Sequence, residues 1–137
     1  MDWNAWKKEM SQYLRQSFGL NSTFSAAAAV LFYYLSLYGL NPVITSGFRS
    51  PENQAEKRAR WDAGNRAGLK VRPARPENSL HCRVTSVLKS PDSKAVDIST
   101  SDSVLAGRIA RALGVGWGGD FQEADPVHFF LAGAAGL

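Results

Sequence analysis

The sequence predicts an α+β fold: a single small domain in which N-terminal helices pack on a mainly antiparallel sheet. Three observations predict it. Apolar residues recur at steps of three and four through the first forty positions. Short β-branched runs bounded by turn residues appear only after Pro42. Helices therefore come first and strands interleave later, within 137 residues that suit one hydrophobic core.

Each element has its own warrant. Asp2 caps a helix whose apolar face runs through Trp3, Trp6, Met10, Tyr13, Leu14 and Phe18, and Gly19 ends it. Asn21, Ser22 and Thr23 offer caps for a second helix over Phe24 to Tyr38, closed by Gly39 and apolar nearly all round, hence central. Val43-Ile44-Thr45 reads as a short strand after the Asn41-Pro42 break. Ser50-Pro51 opens a third helix, with serine as cap and proline in the first turn, running to about Ala63 with Gly64 as its stop. Asn65 to Glu77 is a basic surface loop containing Gly68 and the prolines at 73 and 76. Val84 to Leu88 and Lys94 to Ile98 have strand character, separated by the turn sequence Ser90-Pro91-Asp92-Ser93. Ser101 to Leu113 suits a helix facing inward through Val104, Leu105, Ile109 and Leu113. A glycine-rich turn over 114–119 leads to a last strand at Val127 to Leu131. No repeat or second domain is visible, so the reading is one domain over 1–137, with a helical part (1–40) and a motif-bearing core (43–131).

Composition narrows the function classes. The 45% apolar and 20% charged content is that of a globular chain and argues against disorder. One cysteine, Cys82, excludes an internal disulfide framework. The only apolar run, Ala26 to Leu40, falls short of the ~20 residues that span a bilayer, so no stable membrane insertion is expected. The N-terminus lacks a basic stretch leading into an apolar one, so no signal peptide is expected. The net charge of +4 draws much on Lys57, Arg58, Arg60, Arg66, Lys70, Arg72 and Arg75. Such a stretch is either an attractor for acidic partners or a solvated helix and loop.

The two histidines, His81 and His128, carry the chemistry together with Asp97. Two imidazoles and one carboxylate make a three-ligand catalytic zinc set with a fourth position left for water. Asp125, three residues before His128, is a candidate base for that water. Spacing alone does not decide, because two histidines with scattered aspartates occur in many proteins.

The ordered runs Ile44-Thr45-Ser46-Gly47-Phe48-Arg49-Ser50, Ser79-Leu80-His81, Ala95-Val96-Asp97-Ile98, Gly116-Trp117-Gly118-Gly119-Asp120-Phe121 and Asp125-Pro126-Val127-His128-Phe129 decide more. Together they resemble the LAS metallopeptidases: zinc D-alanyl-D-alanine carboxypeptidases and dipeptidases, and the L-alanyl-D-glutamate endopeptidases common among phage lysins. The Trp-Gly-Gly-Asp run before Asp-x-x-His is most similar to the endopeptidase branch. The resemblance implies one zinc per chain on His81, Asp97 and His128, with Asp125 as catalytic base. It implies Arg49 as oxyanion stabiliser or holder of a substrate carboxylate, and Gln54, Trp117 and Asp120 near the substrate. The implied partner is peptidoglycan, hydrolysed at its stem peptides by a monomer that binds no nucleic acid. By analogy such a chain is made in the cytoplasm and acts on the wall after release, or as part of a phage particle.

Three departures bear on this. The family usually reads His-x-x-Gly-x-Ala-x-Asp, whereas His81 and Asp97 are sixteen residues apart, an insertion of about nine. A straight hairpin turning at Ser90 to Ser93 would offset the ligands by about five residues, or ~17 Å, which one ion cannot span. A looped-out insertion would leave them together, and the surviving flanking motifs favour it. Phe130 stands where the family commonly has a polar residue, removing a partner for a ligand. Cys82 directly follows His81 and is either a competing thiolate or a buried inert thiol. The rival readings are a catalytically impaired binding module of the same fold, a D-Ala-D-Ala carboxypeptidase, and a basic nucleic-acid binder.

Overall fold

A computed structural model describes residues 2–133; Met1 and positions 134–137, included in the single-domain reading, lie outside the described residues. Helix α1 (Trp3–Phe18) starts where the Asp2 carboxylate accepts the Ala5 N–H. It ends at Gly19, whose left-handed conformation (φ 64°) turns the chain. Helix α2 (Ser22–Leu37) is capped by the Asn21 side chain on Phe24 N–H. Strand β1 (Val43–Ser46) follows, then α3 (Pro51–Asp62), capped by Ser50 with proline in its first turn. After a long loop come β2 (Ala95–Ser99), α4 (Ser103–Ala112), β3 (Gly116–Trp117) and β4 (His128–Phe130). The four strands form an antiparallel sheet in the order β1-β2-β4-β3.

Strand alternation divides the sheet into two faces with separate tasks. Val96 and Ile98 of β2 and Phe129 of β4 turn into a core shared with Leu14, Phe24, Leu31, Leu35 and Ala110 of the helices. Asp97 and His128 alternate with them and so project from the opposite face. Helices α1 and α2 thus cover one side and leave the other for chemistry. Phe24, Leu31, Leu35 and Phe129 are wholly buried. At roughly 1.5–3 kcal/mol each, such burial is the main term fixing the helices to the sheet.

One expected strand is absent. Val84 to Leu88 does not pair as a hairpin with Lys94 to Ile98: Val84 makes only an isolated bridge to Pro91, and 86–88 form a turn. The backbone closes on itself instead, with Thr85 N–H on the Ser90 carbonyl (2.9 Å) and Lys89 N–H on that of Thr85 (3.2 Å). Pro91 has no N–H to extend a ladder, and Val87 and Leu88 stand 85% and 82% exposed, so no buried face enforces a register. Conversely, β3 is a two-residue strand too short to leave a periodic signal. Among the described residues no helix is long and apolar enough to cross a membrane.

Candidate metal centre

Register brings the first two ligands together. Asp97 pairs directly with His128 across β2 and β4, and opposite residues on one face have Cβ atoms about 5 Å apart. The third, His81, comes from a short 3-10 turn, Leu80–Cys82, outside the sheet. That turn is tied on both sides: Lys94 N–H donates to the Leu80 carbonyl (3.0 Å) and Arg49 N–H to the His81 carbonyl (3.0 Å). The inserted segment between His81 and Asp97 loops out. Its neck is closed by Asp92 N–H on the Arg83 carbonyl (2.9 Å) and by the Lys94–Leu80 bond, so the extra residues leave the site undisturbed.

The ligand atoms converge tightly. His81 Nε2 and His128 Nδ1 each lie 3.3 Å from Asp97 Oδ1 and 3.2 Å from one another. His81 Nδ1 lies 2.7 Å from the Gly47 carbonyl oxygen and must donate to it, which leaves the Nε2 lone pair facing the cluster. Both imidazoles are buried, and Asp97 is nearly so. Burial alone would raise the Asp97 pKa, but the His128 and His81 nitrogens that face it, when they carry protons, hold the carboxylate well below its usual range. Two imidazole nitrogens and a carboxylate oxygen facing one point, with no apolar group between them, make a donor set that fits one small divalent cation. His128 Nε2 is buried without a partner among the described residues, beside the rings of Phe121 and Phe130 (centroids 5.7 and 5.6 Å away). Phe130 thus offers no acceptor to a ligand's outer nitrogen.

Asp125 is held at the edge of this cluster by backbone bonds. Its N–H donates to the Gly118 carbonyl (2.9 Å), and its own carbonyl accepts the His128 N–H (3.1 Å). Burial and the negative charge of Asp97 push its carboxyl above the usual value, while His128, His81 and Arg49 pull it back. A raised carboxyl pKa moves the group toward neutral working pH, as proton transfer requires.

Arg49 lies against Asp97, its Nη2 3.6 Å from Oδ2, and donates to Ser46 Oγ (2.9 Å) and Gln54 Oε1 (2.7 Å). A bulge in the β1–β2 ladder between Ile44 and Ser46 puts Ser46 opposite Asp97, where it meets the guanidinium. Gln54 is buried, and its amide also donates to the Ala74 carbonyl (2.7 Å), so both ends are engaged. It braces Arg49 from beneath instead of presenting itself to a ligand. Trp117 donates its indole N–H to the Pro126 carbonyl (2.9 Å), fixing the segment that carries Asp125. Asp120 pairs with Arg111, whose guanidinium also lies over the Trp117 ring (5.1 Å). The polar groups of Trp117 and Asp120 are therefore engaged within the protein. Cys82 is buried with its Sγ 3.9 Å from the Ser50 carbonyl, and burial pushes its thiol up, favouring the inert form. It lies outside the ligand cluster.

The basic stretch is mostly consumed in bracing the 65–77 loop. Arg58 pairs with Asp62 (3.2 Å) and donates to the Pro73 carbonyl (3.2 Å), Arg66 lies over the Trp61 ring (4.0 Å), and Arg72 pairs with Glu123 (3.2 Å). Sequence reasoning missed the Gly47 carbonyl and the Ser46 hydroxyl, although both lie in the same Ser-Gly-Phe-Arg run as Arg49.

No protein-family model and no curated protein sequence matches the chain. Its fold does match a solved structure: the vancomycin-resistance D,D-pentapeptidase VanY from a VanB-type cassette, in complex with Zn(II), with a TM-score of 0.57. The chain shares the fold of VanY. The match covers 81% of this chain and 71% of VanY at 21% identity. It agrees with the family resemblance carried by the motifs, and the His81, Asp97 and His128 cluster offers a site for one zinc.

Proposed function

We propose that this protein is a zinc-dependent peptidase acting on peptidoglycan stem peptides, and that it cuts the L-alanyl-D-glutamate bond. One observation carries the reading: His81 Nε2, His128 Nδ1 and Asp97 Oδ1 converge within 3.3 Å despite the long insertion between the first two ligands in the chain. The VanY fold supports the peptidase class, and the Trp117-Gly118-Gly119-Asp120 run supports the endopeptidase branch.

Bound there, zinc supplies Lewis acidity and draws the pKa of a water toward ~7. The chain's residues do the rest. The Gly47 carbonyl fixes the His81 tautomer. Asp125, with its pKa raised by burial and by Asp97, takes a proton from the attacking water on a carboxylate oxygen and returns it to the leaving amine. Arg49, held flat by Ser46 and Gln54, offers its positive charge to the carbonyl oxygen as negative charge builds on it.

The test is a mass-spectrometric digest of purified peptidoglycan with and without added zinc, beside the Asp125→Ala variant. Zinc-dependent fragments ending at L-Ala are expected from the wild type. The variant should keep its zinc and lose about 10²–10⁴-fold in turnover. Fragments lacking only D-Ala would replace the endopeptidase with the carboxypeptidase reading. No cleavage by folded, zinc-loaded protein would reduce the domain to a binding module.

A further inference from the structure

One cation near the centre stands apart from the internally paired arginines. Lys57 lies on α3 and lines a cleft of about 510 Å³ together with Thr45, Ser46, Arg49, Ser50 and Asn53. The cleft adjoins the ligand cluster directly: the Thr45 hydroxyl reaches the Asp97 carbonyl (3.4 Å), and Arg49 touches the Asp97 carboxylate. Two cations therefore face one polar cleft. The Arg49 guanidinium has acceptors in Ser46, Gln54 and Asp97. Lys57, half-buried, has no hydrogen bond or ion pair among the described residues.

We propose that Lys57, lining this cleft beside Arg49, forms a subsite for a carboxylate of the substrate and is the specificity-determining residue that selects acidic over amidated stem peptides. The proposal rests on the peptidase reading for the identity of the peptide, and on the cleft for the charge it takes. Like charges sharing a partly desolvated cleft repel one another unless an anion lies between them. Consistent with this, burial and the Arg49 charge push the Lys57 ammonium below its usual value, and Asp97 only partly offsets them. A bound carboxylate accepts a hydrogen bond from the ammonium and relieves the repulsion at once. Serine and threonine residues and Asn53 line the same cleft together with Phe18 and Phe48, so the peptide beside the carboxylate meets both polar and apolar groups.

The test measures binding of two forms of one peptidoglycan tetrapeptide, with free carboxylates or with carboxamides, to the full-length zinc-loaded protein by calorimetry. An Asp125→Ala background slows cleavage by about 10²–10⁴-fold, so binding is read before the peptides are consumed. The acid form should bind about tenfold more tightly than the amide, as one charge-assisted contact allows. Lys57→Met should reduce that ratio to about one without lowering thermal stability, and Lys57→Arg should restore most of it. Equal binding of both peptides by the parent, no binding of either, or an unchanged ratio in Lys57→Met would overturn the proposal. Turnover by the wild type is scored separately: acid preference without cleavage would leave the subsite standing and remove the peptidase reading alone.

Discussion

The two histidines of the centre are supported in opposite ways. His81 comes from a turn outside the sheet, yet its outer nitrogen is satisfied by the Gly47 carbonyl at 2.7 Å, which fixes ring and tautomer. His128 sits on a strand in register with Asp97, yet its outer nitrogen is buried against aromatic rings without an acceptor among the described residues. The irregular side is held by hydrogen bonding, and the regular side by strand pairing and packing. Each also leans on a glycine through close approach. A side chain at Gly47 would strike the Phe18 backbone carbonyl and its Cβ (2.6 Å), and one at Gly118 would strike the Asp125 carbonyl and the His128 Cβ (2.8 Å). A ring can thus be aimed either by an acceptor or by the strand it stands on, and the two supports fail differently.

The largest effect should come from breaking the His81 side. Gly47→Ala forces the Phe18 backbone away, costing ~1–3 kcal/mol by overpacking. It also displaces the carbonyl that orients His81, so zinc affinity should fall about 10–100-fold in a chelator competition. A next, opposite effect should come from giving His128 the acceptor it lacks. Phe130 lies two residues along β4, on the same face. Phe130→Gln should tighten zinc binding by about tenfold, and no gain would show that packing alone suffices there.

A smaller effect concerns Asp125 on the His128 side. Its folded pKa is raised, so its favourable contribution is complete below the ordinary carboxylate value of about 3.9 and is lost as pH rises through the folded pKa. At pH 7 its ionisation therefore costs stability. Asp125→Asn should raise the melting temperature of the metal-free protein at pH 7, with the difference closing below about pH 4; equal melting at both pH values would refute this. The smallest effect belongs to the loop tip. Replacing Val87 and Leu88 by serine should change stability by less than about 0.5 kcal/mol each and leave zinc affinity unaltered, because neither side chain supports a histidine.

Much of this was legible in the chain because local chemistry and global fold agree. Asp2, Asn21 and Ser50 cap the three helices expected of them, and Gly19 closes the first. Val96-Asp97-Ile98 and His128-Phe129 alternate so that core and ligand faces separate. Legibility ended where tertiary contacts decide. Val84 to Leu88 has strand composition, but no buried face claims it. Gln54 follows the family pattern, but only the fold shows both ends of its amide engaged beneath Arg49. Lys57 is one of seven basic residues spread over positions 57–75, and only their partners distinguish it from Arg58, Arg66 and Arg72.

The closed neck of the 83–92 loop has a consequence for engineering. Both strands of chain leaving it are anchored by Asp92–Arg83 and Lys94–Leu80 bonds, while its tip is exposed and touches no ligand. Such a tip is where chains tolerate cutting and insertion. A nick between Leu88 and Lys89 would divide the protein into a fragment with His81 and one with Asp97 and His128, each lacking part of the ligand set. Reassembly of the two halves would then report itself through metal uptake, making the domain a candidate for a split reporter switched by zinc.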